Sequence, residues 1–281
     1  MKKLLLYSFL ILGTTQLKAQ QSLLFKIKYL PEHTYQSSTS INVKVLVNMS
    51  GSKEFMDKLN SQGLKQPVNA DLSIALNGNT QTGAKNADNS FPLNIDYKLS
   101  NVNVKANGKE FPIPQKENKS FKIYGHVTPD GQLKVDSADG KKVNDTTEKK
   151  AQQMMLFIQK QIQFPEKELK PGDSFTQGMP VTIPVKGSDI KVDAKVTYTL
   201  ISISDGKAYF NMVQNLNADF KMKKGTVNVT GSGTGKMIYS VKDNFPLSTT
   251  GNLNVKLKLN LDKLNVDGAA TINTEHTTTI N

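Results

Sequence analysis

Apolar residues occupy every second position along most of this chain, in runs that few folds can accommodate. Ile41, Val43, Val45 and Val47 form one run, and Ala70, Leu72, Ile74 and Leu76 another. Leu93, Ile95, Tyr97 and Leu99 form a third, and Ile190, Val192, Ala194, Val196, Tyr198 and Leu200 the longest. A two-residue period puts one set of side chains on one face of a strand, which predicts half-buried antiparallel strands. The stretch from Ile190 to Ser204 would span about 50 Å if straight, at roughly 3.3 Å per residue. A compact domain holds such strands by twisting and bending them. The sequence therefore predicts a mainly β fold, a strongly curved, half-barrel-like antiparallel sheet.

Turn chemistry falls between these runs. Pro129-Asp130-Gly131 and Asp205-Gly206 place glycine where a hairpin needs positive φ. Near Ser100-Asn101 the apolar parity flips, from Leu99 to Val102 and Val104, which predicts a bulge. Two segments leave the β pattern. Lys53 to Gln62, after Ser52 and before Gly63, carries Phe55, Met56 and Leu59 on one side and predicts a short helix. Asp145-Thr146-Thr147-Glu148 opens a longer helix over about 145–163, with Ala151, Met154, Met155, Ile158 and Ile162 as its stripe and Pro165 as its stop. Both helices are expected on the concave side of the sheet. The long one would separate two β-rich halves, about 20–143 and 165–281, of one domain spanning 20–281.

Residues 1–19 carry Lys2 and Lys3, an apolar run from Leu4 to Leu12, and Ala19 before Gln20. That order is the pattern of a cleavable export signal, with cleavage between Ala19 and Gln20. The apolar run is far short of the roughly 20 residues that span a bilayer. A periplasmic or extracellular location follows, with no integral membrane segment in the mature chain. No cysteine is present, so disulfides and a lipidated cysteine are excluded. All 36 basic residues are lysine, and most alternate with apolar residues, as on a solvated sheet face. A nucleic-acid partner would call for the arginine and tryptophan that the chain lacks. An outer-membrane barrel also alternates, but the missing aromatic girdles and the lysine-rich polar faces favour a soluble sheet.

Two motifs look chemical. Gly172-Asp173-Ser174-Phe175 is similar to the nucleophile block of GDSL-type esterases, yet no Asp-x-x-His accompanies it, and a turn entering a strand is expected. Gly231-Ser232-Gly233-Thr234-Gly235-Lys236 lacks the glycine and the hydroxyl residue of a phosphate loop. Gly231, Gly233 and Gly235 instead share the face of Val227, Val229, Met237 and Tyr239, marking a bend or a close approach. His33, His126 and His276 have no ligand spacing, so neither a metal nor another cofactor is expected. His276 shares a face with Ile272 and Ile280, as a satisfied strand histidine would.

The block from Phe164 to Phe175, with Tyr198-Thr199-Leu200 and Gly233-Thr234-Gly235, resembles a group of exported Bacteroidota proteins of unknown function. The Ala19-Gln20 junction and the Lys-, Asn- and Thr-rich makeup resemble the same source. Asp136-Ser137-Ala138 and Asp145-Thr146-Thr147 resemble Bacteroidota O-glycosylation acceptors, which would modify Ser137 and Thr146 in accessible loops. The order of long strands, helix and long strands is similar to LolA/LppX-type carriers, and that resemblance implies a half-barrel holding acyl chains. The functional reading is a non-catalytic envelope protein with an apolar or lipid-like ligand between helix and sheet. Met154, Met155, Phe157 and Ile158 would contact it from the helix, opposite the space left by Gly231, Gly233 and Gly235. The alternative is a structural or interaction protein of the cell surface with no small-molecule ligand.

Overall fold

The computed structural model describes residues 22–61, 66–111, 120–138, 141–142, 162–185, 188–222, 225–261 and 264–281. The chain enters as β1 (Thr34–Gly51), passes a helix, α1 (Lys53–Ser61), and continues through β2 (Val68–Thr82) and β3 (Phe91–Ala106). Shorter strands follow: β4 (Lys109–Phe111), β5 (Ser120–Val127), β6 (Leu133–Ala138) and β7 (Lys141–Lys142). A meander of long strands then runs through β8 (Ser174–Val185), β9 (Ser188–Ser204) and β10 (Lys207–Met222). It ends with β11 (Gly225–Ser240), β12 (Phe245–Leu261) and β13 (Leu264–Ile280). All belong to one antiparallel sheet in the order β7-β6-β5-β3-β2-β1-β13-β12-β11-β10-β9-β8, with β4 beside β3. Pairing of β1 with β13 joins the two halves of the chain. β7 and β8 are the sheet's edges and do not pair with each other among the described residues, so the sheet is open.

Local chemistry accounts for the joints. The β9–β10 hairpin turns at Asp205 and Gly206, both at positive φ (51° and 69°), the primed geometry that matches strand twist. Gly131, at φ 85°, serves the β5–β6 turn. The bulge expected near Ser100 is present: Leu76 faces Leu99 while Ala75 faces Asn101. The skipped Ser100 donates its hydroxyl to the Ala75 carbonyl at 3.0 Å. Across the bulge the parity change keeps Leu93, Ile95, Tyr97, Val102 and Val104 on one face. The registers of all the long strands agree on that face, so the sheet has one apolar and one polar side.

The helices depart from expectation. Ser52 caps α1, receiving the Phe55 N–H on its hydroxyl at 3.4 Å and the Met56 N–H on its carbonyl at 3.0 Å. However, α1 buries no residue and its contacts are with β1. It extends a hairpin end and does not pack on a concave face. The helix expected over 145–163 falls largely outside the described residues. Its last two positions, Ile162 and Gln163, are described and are not helical. Ile162 is instead buried in the core as part of an irregular segment that leads to Pro165. Among the described residues there is thus one short helix where one long and one short were expected.

The core lies at one end of the apolar face. One cluster joins Val196, Tyr198 and Leu200 of β9 to Phe210 of β10 and to Met237 and Tyr239 of β11. A second joins Phe91, Leu93 and Ile95 of β3 to Ile123 and Val127 of β5. Residues 22–30, extended but not part of the sheet, cross from one cluster to the other as a strap. Leu23, Phe25, Ile27 and Tyr29 turn toward the sheet and Leu24, Lys26 and Lys28 toward solvent. Because the strap runs across the strands, side chains and loops satisfy its backbone. Tyr239 donates to the Lys26 carbonyl, and the Leu23 N–H and carbonyl bond Leu169 at 3.0 and 2.9 Å. Phe25 meets Phe210 and Tyr239 edge-on with centroids 5.2 Å apart, and burying such a ring contributes about 1.5–3 kcal/mol.

Candidate functional site

Where the strap passes over the start of β1 it roofs a cavity of about 230 Å³. Tyr29 from the strap, Tyr35 from β1 and Phe245 from β12 form one wall, with centroids 4.8, 4.9 and 5.3 Å apart. Tyr97 from β3 also lines it. A Cβ on Gly78 would sit 2.4 Å from the Tyr97 ring and 2.4 Å from the Ser37 hydroxyl. Glycine in β2 therefore lets that ring lie across the strand.

The polar groups of the cavity are neutral. The Tyr35 hydroxyl accepts the Leu30 N–H at 2.7 Å. The Tyr29 side chain hydrogen-bonds Thr80, and burial pushes its phenol well above the usual tyrosine range. Burial raises the Tyr97 phenol as well. His276 lies with Nδ1 2.8 Å from the Thr39 hydroxyl and Nε2 3.1 Å from that of Thr278. Burial lowers its pKa and keeps the imidazole neutral near pH 7. It is the hydroxyl-satisfied strand histidine that its parity predicts. Among the described residues, no lysine, aspartate or glutamate lines the cavity.

Away from the strap, the same apolar face changes character. Val43, Val45 and Val47 of β1 and Leu72 of β2 are half-buried, and so are Leu253, Val255, Leu257 and Leu259 of β12 and Ile272 of β13. Lys44, Lys256 and Lys258 alternate with them on the exposed polar side. A smaller buried patch lies within this region, Ala218 of β10 with Val227 and Val229 of β11, and Val255, Leu257 and Leu259 pack against it.

The glycine stripe lies between these two zones. Gly231, Gly233 and Gly235 stand opposite Val255, Leu253 and Gly251 of β12. A Cβ on Gly233 would be 2.3 Å from the Asn252 carbonyl oxygen, and one on Gly235 2.3 Å from that of Thr250. At Gly231 the Asn254 carbonyl oxygen would be 3.0 Å away. Close approach by β12 itself explains the stripe. Met154, Met155, Phe157 and Ile158 lie outside the described residues, as do Ala19, Gln20 and Thr146. Ser137 is in β6, opposite Tyr124 and Lys142, and not in a loop. Gly172, at φ 97°, turns the chain into β8, and Ser174 shares a hydrogen bond with Thr199 at 2.8 Å. Among the described residues no group of His, Asp or Glu could hold a metal.

The cavity was not anticipated from sequence, although two signals mark it. The alternation Leu23, Phe25, Ile27, Tyr29 announces a one-sided extended segment. Gly78 interrupts the inner face of β2 between Leu76 and Thr80.

Neither a family model nor a curated protein matches the chain. Solved structures of outer-membrane β-barrel proteins do. The β domain of the Bordetella autotransporter Brka covers 87% of this chain and 99% of its own length at 6% identity, with a TM-score of 0.19. Pseudomonas aeruginosa OpdQ covers 87% and 99% at 7% identity and 0.22. Acinetobacter baumannii outer membrane protein Omp33 covers 88% and 98% at 9% and 0.11. At such scores nothing about this chain's location or activity follows. The expected resemblances are corrected on these findings: no family model supports membership of an exported Bacteroidota family, and the matched structures are barrels, not LolA/LppX-type carriers.

Proposed function

We propose that the chain is an exported, non-catalytic binding protein that holds an apolar, lipid-like chain against the strap-distal part of its apolar face. One observation carries this reading. On a single continuous face, the core side chains at the strap end are exposed by 0–8%, whereas Val43, Val45, Val255, Leu257 and Ile272 stay half-open. A continuous row of partly exposed apolar side chains is the kind of surface that a bound chain would cover. The opposite face carries Lys44, Lys256 and Lys258, which suits water and not lipid tails. Export is supported by the signal-like residues 1–19.

A rolled sheet would enclose such a ligand. Asp130 and Gly131 of the β5–β6 turn line one cavity together with Phe164, Pro165 and Glu166, which precede β8. Along a flat sheet β5 and β8 stand nine strand steps apart, about 43 Å at roughly 4.8 Å per step. Spin labels on Asp130→Cys and Glu166→Cys should report a separation well below that span.

Binding is tested with a fluorescent fatty-acid probe and by native mass spectrometry of protein purified from its own host. The probe should bind wild type, and Val45→Asp with Leu257→Asp should weaken binding at least tenfold while the fold persists. A protein that carries no lipid and binds no probe is an interaction module, and the proposal fails.

A further inference from the structure

We propose that the cavity beneath the strap is a second binding site, which takes an uncharged, hydroxyl-bearing ring such as a hexose unit. Three observations converge on that class. The first is size: about 230 Å³ lies below the roughly 300–1,000 Å³ typical of sites for drug-sized molecules, so a single ring fits. The second is charge. The chain has 36 lysines and 24 acidic residues, yet none among the described residues lines this space. An ionised ligand would enter without a counter-charge, at high desolvation cost. The third is the pairing of surfaces. The Tyr29, Tyr35 and Phe245 rings, tilted 47–75° to one another, offer apolar ring faces and edges on which the C–H face of a sugar packs, and the Tyr97 hydroxyl offers a donor and acceptor beside the hydroxyl of Thr80. Gly78 maintains the arrangement, because any side chain there drives the Tyr97 ring from its place.

The site is independent of the fatty-chain reading, since it lies at the other end of the apolar face. The sugar could arrive free or as the head of a neutral glycolipid, and two probes separate these sources. The chain has no tryptophan and eight tyrosines, of which Tyr29, Tyr35 and Tyr97 line the cavity, so a change in tyrosine emission on binding that is lost in Tyr97→Phe reports on it, and saturation-transfer NMR identifies the bound protons. Mature wild type should bind neutral methyl hexosides, or a neutral glycolipid if the headgroup needs its lipid, and should reject a hexuronate of equal size. Tyr97→Phe, which keeps the ring and removes the hydroxyl, should weaken binding about tenfold with an unchanged melting curve. Gly78→Ala should abolish it, with circular dichroism confirming the sheet. Absence of binding by both neutral probes would show that the cavity holds only water. Hexuronate bound as well as hexoside, or full affinity in Tyr97→Phe, would equally overturn the proposal.

Discussion

The two ends of the apolar face have the same alternation and the same kinds of side chain, yet one is sealed and the other, outside the buried patch of Ala218, Val227 and Val229, is only partly covered. At the sealed end Phe25 is 3% exposed and Leu93, Ile123 and Leu200 are 0% exposed. What separates the ends is the strap, residues 22–30, with the irregular segment around Phe164 and Leu169 stacked beside it. Alternation specifies which face a side chain joins. Burial depends on what lies across that face, and here this comes from residues outside the sheet.

The largest effect should come from weakening the strap. Phe25→Ala should cost about 3–5 kcal/mol in urea unfolding, the range for a large ring removed from a packed core. Leu257→Ala, on the partly covered face, should cost less, because Leu257 is partly exposed whereas Phe25 is 3% exposed. Equal costs would erase the distinction between the ends.

An intermediate effect is expected at the glycine stripe. Gly233→Ala puts a Cβ against the Asn252 carbonyl oxygen, which belongs to backbone and cannot swing aside. A loss of about 1–3 kcal/mol follows from the overpacking. At Gly178 in β8 nothing stands within 4 Å of where a Cβ would go, so Gly178→Ala should be close to neutral. If both variants melt with wild type, close approach by β12 does not explain the stripe.

Much of this was readable from the residues. The parity flip at Ser100 located a bulge, and Asp205-Gly206 located a hairpin. The one-sided apolar face was visible as alternating valines and leucines, but not which part of it is covered. The role of Gly231, Gly233 and Gly235 was only half legible: glycine signalled a close approach, but sequence could not say that the approaching group was the neighbouring strand. The strap was harder still. Leu23 to Tyr29 alternates like any strand, and its crossing of the sheet is set by partners at Leu169, Tyr239 and Asn244, far away in sequence. The cavity depends on that crossing and was therefore hidden.

A smaller effect should appear with pH. Burial lowers the pKa of His276 in the folded chain below its unfolded value. Its contribution is therefore complete above the unfolded pKa, about 6.5, and is lost as pH falls through the folded pKa. His276→Gln should flatten the slope of stability against pH over that acidic window. An unchanged slope would show that the imidazole is not held neutral by the sealed end.

Cysteine protection tests the central claim most directly, because the chain has no cysteine of its own. Single variants Val45→Cys and Leu257→Cys probe the half-open face, and Lys256→Cys probes the polar face of the same strand. Added fatty acid should slow the reaction of the first two with a water-soluble maleimide at least tenfold and leave the third unchanged. Equal rates with and without fatty acid at all three positions would contradict the account.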